Sequence, residues 1–124
     1  HSQDFSAWFS HIPGLIVIAP YTAHDSKGLL KAAIRNPNPV IFLENEILYN
    51  DKGLVEIDDQ DIIEIGKANI VKAGEDITII SFSIGMKIVI QAAEILLKEG
   101  INAEVIDLRT LKPLDKDTII NHLV

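Results

Sequence analysis

The chain has no cysteine in its 124 residues. Disulfides and thiolate metal sites are therefore excluded, and the composition is compatible with a reducing compartment. It also lacks the run of about 18 apolar residues that a membrane helix needs, so no membrane role is expected. The opening H-S-Q-D-F-S-A-W-F-S has no basic stretch followed by an apolar core and does not read as a signal peptide. Positive charge is scarce, with 11 Lys and Arg against 18 Asp and Glu and a net charge of −7. Such a surface repels phosphate backbones, and no nucleic-acid partner is expected.

Several motifs are missing as well. The four histidines, His1, His11, His24 and His122, show no metal-ligand spacing. His11, His24 and His122 read as surface or structural residues. There is no G-x-G-x-x-G and no phosphate loop. Ser81-Phe82-Ser83-Ile84-Gly85 is a strand–turn–helix junction but not the G-x-S-x-G elbow of a hydrolase.

What is present reads as α/β. Nearly half of the chain is apolar, 48%, enough for one core. Phe5, Trp8 and Phe9 share one face of a short helix, expected to pack. His11-Ile12-Pro13-Gly14 breaks it, and Leu15–Ile18 is an apolar strand. Thr22 and Asp25 form a capping box with a shortened carboxylate. A helix over 25–35 follows, with Leu29, Leu30, Ala33 and Ile34 facing inward and Gly28 permitting close packing.

Pro37 and Pro39 lack the N–H groups that would continue that helix. Its last carbonyls are left without intrahelical donors, at an end that carries partial negative charge. Val40–Leu43 then reads as a buried strand, followed by Glu44 and Glu46. These two point to opposite faces if the strand continues, so they do not form an acid–base pair.

Residues 45–64 read as a linker or wrapping loop. Its acidic run, Glu56, Asp58, Asp59, Asp61 and Glu64, is expected to be solvated. Residues 65–71 are weakly strand-like. A second strand–helix–strand unit follows. Ile77–Phe82 is a strand, and Ser83 is the expected cap of a helix starting near Gly85. Ile88, Val89, Ala92, Ala93 and Leu96 form its inner face, and Gly100 ends it. Ala103–Leu108 is a strand, Lys112-Pro113-Leu114 a turn, and Asp115 caps a last helix. The start at His1 without Met and the apolar close N-H-L-V read as an internal segment. These residues alone name no reaction.

Four blocks say more. H-S-Q-x-F-x-A-W-F-x-H-x-P-G-L, S-K-G-L-L-K-A-A-I-R, N-P-V-I-F-L-E-N-E-I-L-Y and E-V-I-D-L-R-T-L-K-P-L-D occur here in that order. Together they resemble the beta-subunit family of pyruvate dehydrogenase, over the whole chain. The resemblance implies two partial parallel-sheet βαβ layers. One is the latter part of a transketolase-like pyrimidine-binding domain, residues 1–48. After a linker, 49–64, the first part of a transketolase C-terminal domain occupies 65–124.

The implied activity is oxidative decarboxylation of pyruvate with thiamine diphosphate, and acetyl transfer to a lipoyl group. The beta subunits of branched-chain 2-oxo acid and acetoin dehydrogenases are the nearest alternatives. The branched-chain type usually has E-P-K-x-L-Y where this chain has E-N-E-I-L-Y. A non-catalytic α/β interaction module is the alternative from another class.

The family's site residues transfer to positions here. His1 matches a histidine at the thiamine site, implicated in handling the substrate-derived intermediate, a task suited to imidazole. Ala33, Ile34, Asn36 and Asn38 match residues that give a structural potassium ion its oxygens, mostly main-chain carbonyls. Asn36 stands where the family usually has Asp, Asn50 where it commonly has Gly, and His24 where Glu is common. The glutamate that activates the aminopyrimidine, and one further potassium ligand, would lie upstream of His1. The magnesium and diphosphate ligands would lie on an alpha subunit. The implied partners are that alpha subunit and a lipoyl-bearing acetyltransferase. The implied location is cytoplasmic in a bacterium and the mitochondrial matrix in a eukaryote. The polypeptide by itself is expected to lack decarboxylase activity.

Overall fold

A computed structural model describes residues 3–55, 57 and 61–123. The chain runs α1 (Ser6–His11), β1 (Ile16–Ile18), α2 (Ala23–Arg35), β2 (Val40–Phe42), a 3₁₀ helix (Glu46–Asn50), β3 (Asn69–Lys72), β4 (Ile77–Ser81), α3 (Gly85–Lys98), β5 (Ala103–Asp107), β6 (Thr110–Lys112) and α4 (Lys116–Asn121). Both expected strand–helix–strand units are present. β1 pairs in parallel with β2 across α2, and β4 in parallel with β5 across α3.

Each parallel pair gains an antiparallel third strand. The strand orders are β2-β1-β6 and β3-β5-β4. The strand β6 is new relative to the sequence reading, which placed only a turn there. It lies antiparallel to β1, with Val17 opposite Lys112 and Ile18 opposite Thr110. The first sheet is thus completed by a strand from the far end of the chain.

Local chemistry accounts for the helix boundaries. The Thr22 hydroxyl accepts the Asp25 N–H at 3.0 Å and donates to Asp25 Oδ2 at 2.6 Å, so the capping box closes through the hydroxyl. Gly100, at φ +86°, ends α3. Its N–H donates to Leu97 and that of Ile101 to Leu96, the paired bonds of a left-handed helix stop. Asp115 caps α4 through the Thr118 N–H at 3.2 Å and also holds the Ala68 N–H at 3.0 Å. Ser83 does not cap α3. It sits at φ +48°, and the N-cap is Ile84, with no side-chain bond.

In the core, Met86 and Ala93 of α3 close on Ala103 and Val105 of β5, with Ile79, Val89, Ile90, Leu96 and Tyr21 packed around them. Tyr21 comes from the first unit, so the second unit's core is not self-contained. In the first unit Val17, Ile18, Ala19 and Leu29 are also fully buried. Leu29 alone contributes about 1.5–3 kcal/mol by removal from water.

Several inward assignments fail. Leu30 is 42% and Ile34 76% exposed on α2, and Ile88 is 67% exposed on α3. Trp8 is 73% exposed, its ring centroid 5.6 Å from that of Phe5, and α1 buries no residue. The strand at Val40–Phe42 is half-buried rather than fully buried.

Gly28 does permit close packing. A Cβ there would stand 2.7 Å from Ile63 Cγ1, because the segment after the linker lies against α2. Asp61 on that segment is not solvated: its Oδ1 lies 3.2 Å from His24 Nε2. Glu56, Asp58 and Asp59 lie outside the described residues.

Candidate functional site

Residues at or just past the carboxyl ends of β1, β2 and β4 (Ala19, Phe42, Leu43, Phe82 and Ser83) border one depression. In open α/β sheets this is where ligands settle, because strand ends and helix starts present unpaired polar groups there. Two clefts share it. The larger, about 600 Å³, lies over the start of α2 and the 3₁₀ helix, and its rim includes Tyr21, Thr22, Glu44, Tyr49 and Asp51. The smaller, about 440 Å³, lies between the N-terminal segment and the ends of β2 and β4. Gln3, Phe5, Phe42, Phe82 and Tyr49 are on its rim. Glu44, Asn45 and Tyr49 belong to both.

A side-chain hydrogen bond ties the shared wall together. The strand stops at Phe42 and the chain turns into the 3₁₀ helix, so Glu44 and Glu46 do not alternate along a strand. The Tyr49 hydroxyl instead donates to Glu44 Oε2 at 3.0 Å. That bond, and then the carboxylate's charge, raise the Tyr49 pKa above its ordinary value. On the far side of the larger cleft, Lys87 Nζ of α3 reaches Asp51 at 2.8 and 2.9 Å. The hydrogen bond to Asp51 is the main reason that the lysine's pKa is raised.

Behind the clefts lies a buried charged group. Arg109 Nη2 is 2.5 Å from Asp25 Oδ1, and Asp25 is almost fully buried. Arg109 adopts φ +56°, a left-handed conformation rare for a side-chain-bearing residue. Its N–H donates to Asp107 Oδ1 at 3.0 Å, and its carbonyl accepts the Ala19 N–H at 2.9 Å. Asp107 has no solvent exposure, and its Oδ2 has no hydrogen-bond partner among the described residues. Burial pushes its pKa up to about 7. The Arg109 N–H pulls against that shift, and the Asp25 charge adds to it.

The expected ion ligands sit elsewhere. Ala33 and Ile34 are in the last turn of α2, Asn36 is its C-cap, and Asn38 precedes β2. The Ala33 carbonyl accepts the Asn36 N–H at 3.2 Å. The Asn36 side-chain oxygen is occupied by the Asn38 N–H at 2.9 Å and Nδ2 at 3.0 Å. The carbonyls of Ile34, Asn36 and Asn38 accept no N–H among the described residues. They are neutral hard oxygens at the negative end of a helix dipole, a donor set that suits an alkali cation. Among the described residues no group of three His, Cys, Asp or Glu could hold a metal.

His1 lies outside the described residues. Gln3, two positions on, borders the smaller cleft. The sequence reading missed Phe42, Tyr49, Phe82 and Arg109. Phe42 and Phe82 stand at or just beyond the end of an apolar strand, and the strand-end rule for α/β sheets was the available signal; Tyr49 lies within the 3₁₀ helix.

The model for the transketolase pyrimidine binding domain matches residues 1–52, and that for the transketolase C-terminal domain residues 66–124. The pyruvate dehydrogenase E1 component subunit beta of Rhizobium meliloti is 58% identical over 97% of this chain. The mitochondrial subunit beta-1 of Oryza sativa is 54% identical over 96%. The chain spans 26% of the first relative's length and 33% of the second's. Among solved structures, a split-gene transketolase described as an inactive beta4 tetramer superposes with a TM-score of 0.76 at 26% identity, over 94% of this chain and 38% of that one. A transketolase from Pichia stipitis superposes with a TM-score of 0.65 at 20% identity, over 89% of this chain and 16% of that one. It bears on the fold alone.

Proposed function

The chain belongs to the transketolase family, and on that footing we propose that it is part of the beta subunit of a pyruvate dehydrogenase. The whole enzyme decarboxylates pyruvate oxidatively and passes the acetyl unit to a lipoyl group. The observation that carries this reading is identity above one half, across nearly the whole chain, to beta subunits of that enzyme.

Thiamine diphosphate is the implied cofactor, and this chain fits one end of it. Phe5, Phe42, Phe82 and Tyr49 offer apolar walls to a flat ring in the smaller cleft. Among the described residues that cleft has no Lys, Arg or His on its rim, and Asp4 and Glu44 are there to repel a diphosphate. The anionic end therefore needs its magnesium and its ligands from elsewhere, which supports placing them on an alpha subunit. When bound, thiamine diphosphate supplies the nucleophilic carbon that takes up the keto carbon of pyruvate. His1 is assigned to move a proton on the substrate-derived unit, because imidazole can both donate and accept near neutral pH. The position of Gln3 on the cleft rim supports that assignment.

Ala33, Ile34, Asn36 and Asn38 are assigned to a structural potassium ion through main-chain carbonyls. That the carbonyls of Ile34, Asn36 and Asn38 accept no backbone N–H among the described residues supports it. The domain division proposed is 1–48, a linker over 49–64, and 65–124. Among the described residues no strand lies between Asn50 and Asn69, and this, with the gap between the matched segments 1–52 and 66–124, supports it. The lipoyl-bearing acetyltransferase is the proposed downstream partner. The proposed location is the mitochondrial matrix in a eukaryote and the cytoplasm in a bacterium; the relatives include both kinds.

The test is release of carbon dioxide from pyruvate, with branched-chain 2-oxo acids as the comparison. The complete alpha–beta assembly containing this sequence is expected to prefer pyruvate, and this polypeptide alone to release none. Preference for a branched-chain acid, or release by the lone polypeptide, sinks the reading.

A further inference from the structure

Arg109 lines neither cleft, yet two of its contacts end on residues that do. Its guanidinium holds Asp25, and Asp25 Oδ2 holds the Thr22 hydroxyl at 2.6 Å, on the rim of the larger cleft. Its carbonyl holds the N–H of Ala19, on the rim of the smaller one, at 2.9 Å. The backbone of Arg109 is kept in its left-handed conformation with the Asp107 carboxylate bracing its N–H. Strain of this kind persists where the surroundings over-determine it, and it clusters at functional sites.

We propose that Arg109 is a positioning residue that sets the two cleft walls, acting through Asp25 on Thr22 and through its own carbonyl on Ala19. The assignment rests on the proposed function, because it takes the clefts as the surface that meets cofactor and substrate. It goes beyond it, since Arg109 comes from the C-terminal half and lines neither cleft. The chemistry favours arginine. A guanidinium stays charged at all physiological pH, so it pairs with the buried Asp25 carboxylate as a permanent cation; the contact is a close charge pair, since Asp25 Oδ1 and Arg109 Nε have no hydrogen-bond partner among the described residues. Removing that partner takes the closest cationic group away from a buried carboxylate. Thr22 is then fixed twice, as the cap of α2 and as an acceptor-bound hydroxyl on the cleft rim.

The complete alpha–beta assembly is prepared with Arg109→Gln, with Asp25→Asn and with both. Melting temperature, the dissociation constant for thiamine diphosphate by calorimetry, and KM and kcat for pyruvate are measured on each. Each single substitution is expected to weaken cofactor binding by about tenfold, the scale of a sub-ångström misplacement of a binding wall, with kcat at saturating cofactor within about twofold. The double variant replaces the ion pair with a neutral amide pair. It should melt above either single variant and bind the cofactor no more weakly than the weaker of them, because both changes act through one contact.

Lower melting in the single variants with unmoved cofactor affinity and KM would show a merely structural arginine and overturn the proposal. So would losses that add in the double variant. A wild-type assembly that binds no thiamine diphosphate overturns the functional reading itself, and this assignment with it. Normal wild-type binding with unmoved variants overturns the assignment alone.

Discussion

Asp107 is a carboxylate with no exposure to water and one oxygen without a hydrogen-bond partner among the described residues. Desolvation favours its neutral form and pushes its pKa from the ordinary 3.8 up to about 7. Between those two values the folded chain keeps a proton that the unfolded chain has lost. Stability therefore falls as pH rises from about 4 to about 7 and is flat above, a loss on the order of 4 kcal/mol. Asp107→Asn keeps the shape and removes the titration. The variant is expected to match the wild type near pH 4 and to melt higher at pH 8. Melting curves of both across that range check it; parallel pH profiles would show that Asp107 does not carry the shift. The difference between the two proteins isolates Asp107 from the His24–Asp61 and His122–Glu104 pairs, which are common to both.

The helix α2 joins two sites that share no residue. Thr22 and Ala23, at its start, rim the larger cleft, and the candidate ion carbonyls lie at its other end. Thirteen residues at 1.5 Å each put them about 20 Å apart. An ion there would secure the junction with β2 rather than take part in chemistry. Exchanging potassium for lithium or caesium in the complete subunit is expected to lower the melting temperature by a few degrees and leave kcat nearly unchanged. Identical melting across the series removes the ion site. The prolines made this helix end legible in the sequence, because a missing N–H is a local fact. The inward face of α2 was legible only in part. Apolar spacing selects Leu29 and Leu30 alike, but the neighbours that decide which is covered lie far along the chain. For the same reason β6 was invisible. Thr110-Leu111-Lys112 is short, carries one apolar residue and runs into Pro113, and only its pairing with β1 makes it a strand.

At the scale of the molecule the two halves are interlocked rather than stacked. β6 adds to the first sheet, Arg109 holds Asp25, and Lys112 Nζ takes the carbonyls of Ser10 and Ile12 at 2.9 and 2.7 Å, closing the end of α1. The matched segments 1–52 and 66–124 thus divide the sequence more cleanly than they divide the fold. A truncated chain of residues 1–64 would keep a two-stranded sheet, a marginal structure in water, and would leave Asp25 buried without its cation. It is expected to lack the cooperative melting transition of the full chain by circular dichroism. A cooperative transition in the truncated chain would show that the first half stands alone. The same interlock sets a schedule for biosynthesis. The partner of Ile18 is Thr110, so 92 positions separate them. At translation speeds of roughly 5–20 residues per second, one edge of β1 stays unpaired for about 5–20 s after it is made. During that interval the nascent chain presents a bare strand edge to any neighbour, the period in which a chaperone has most to protect.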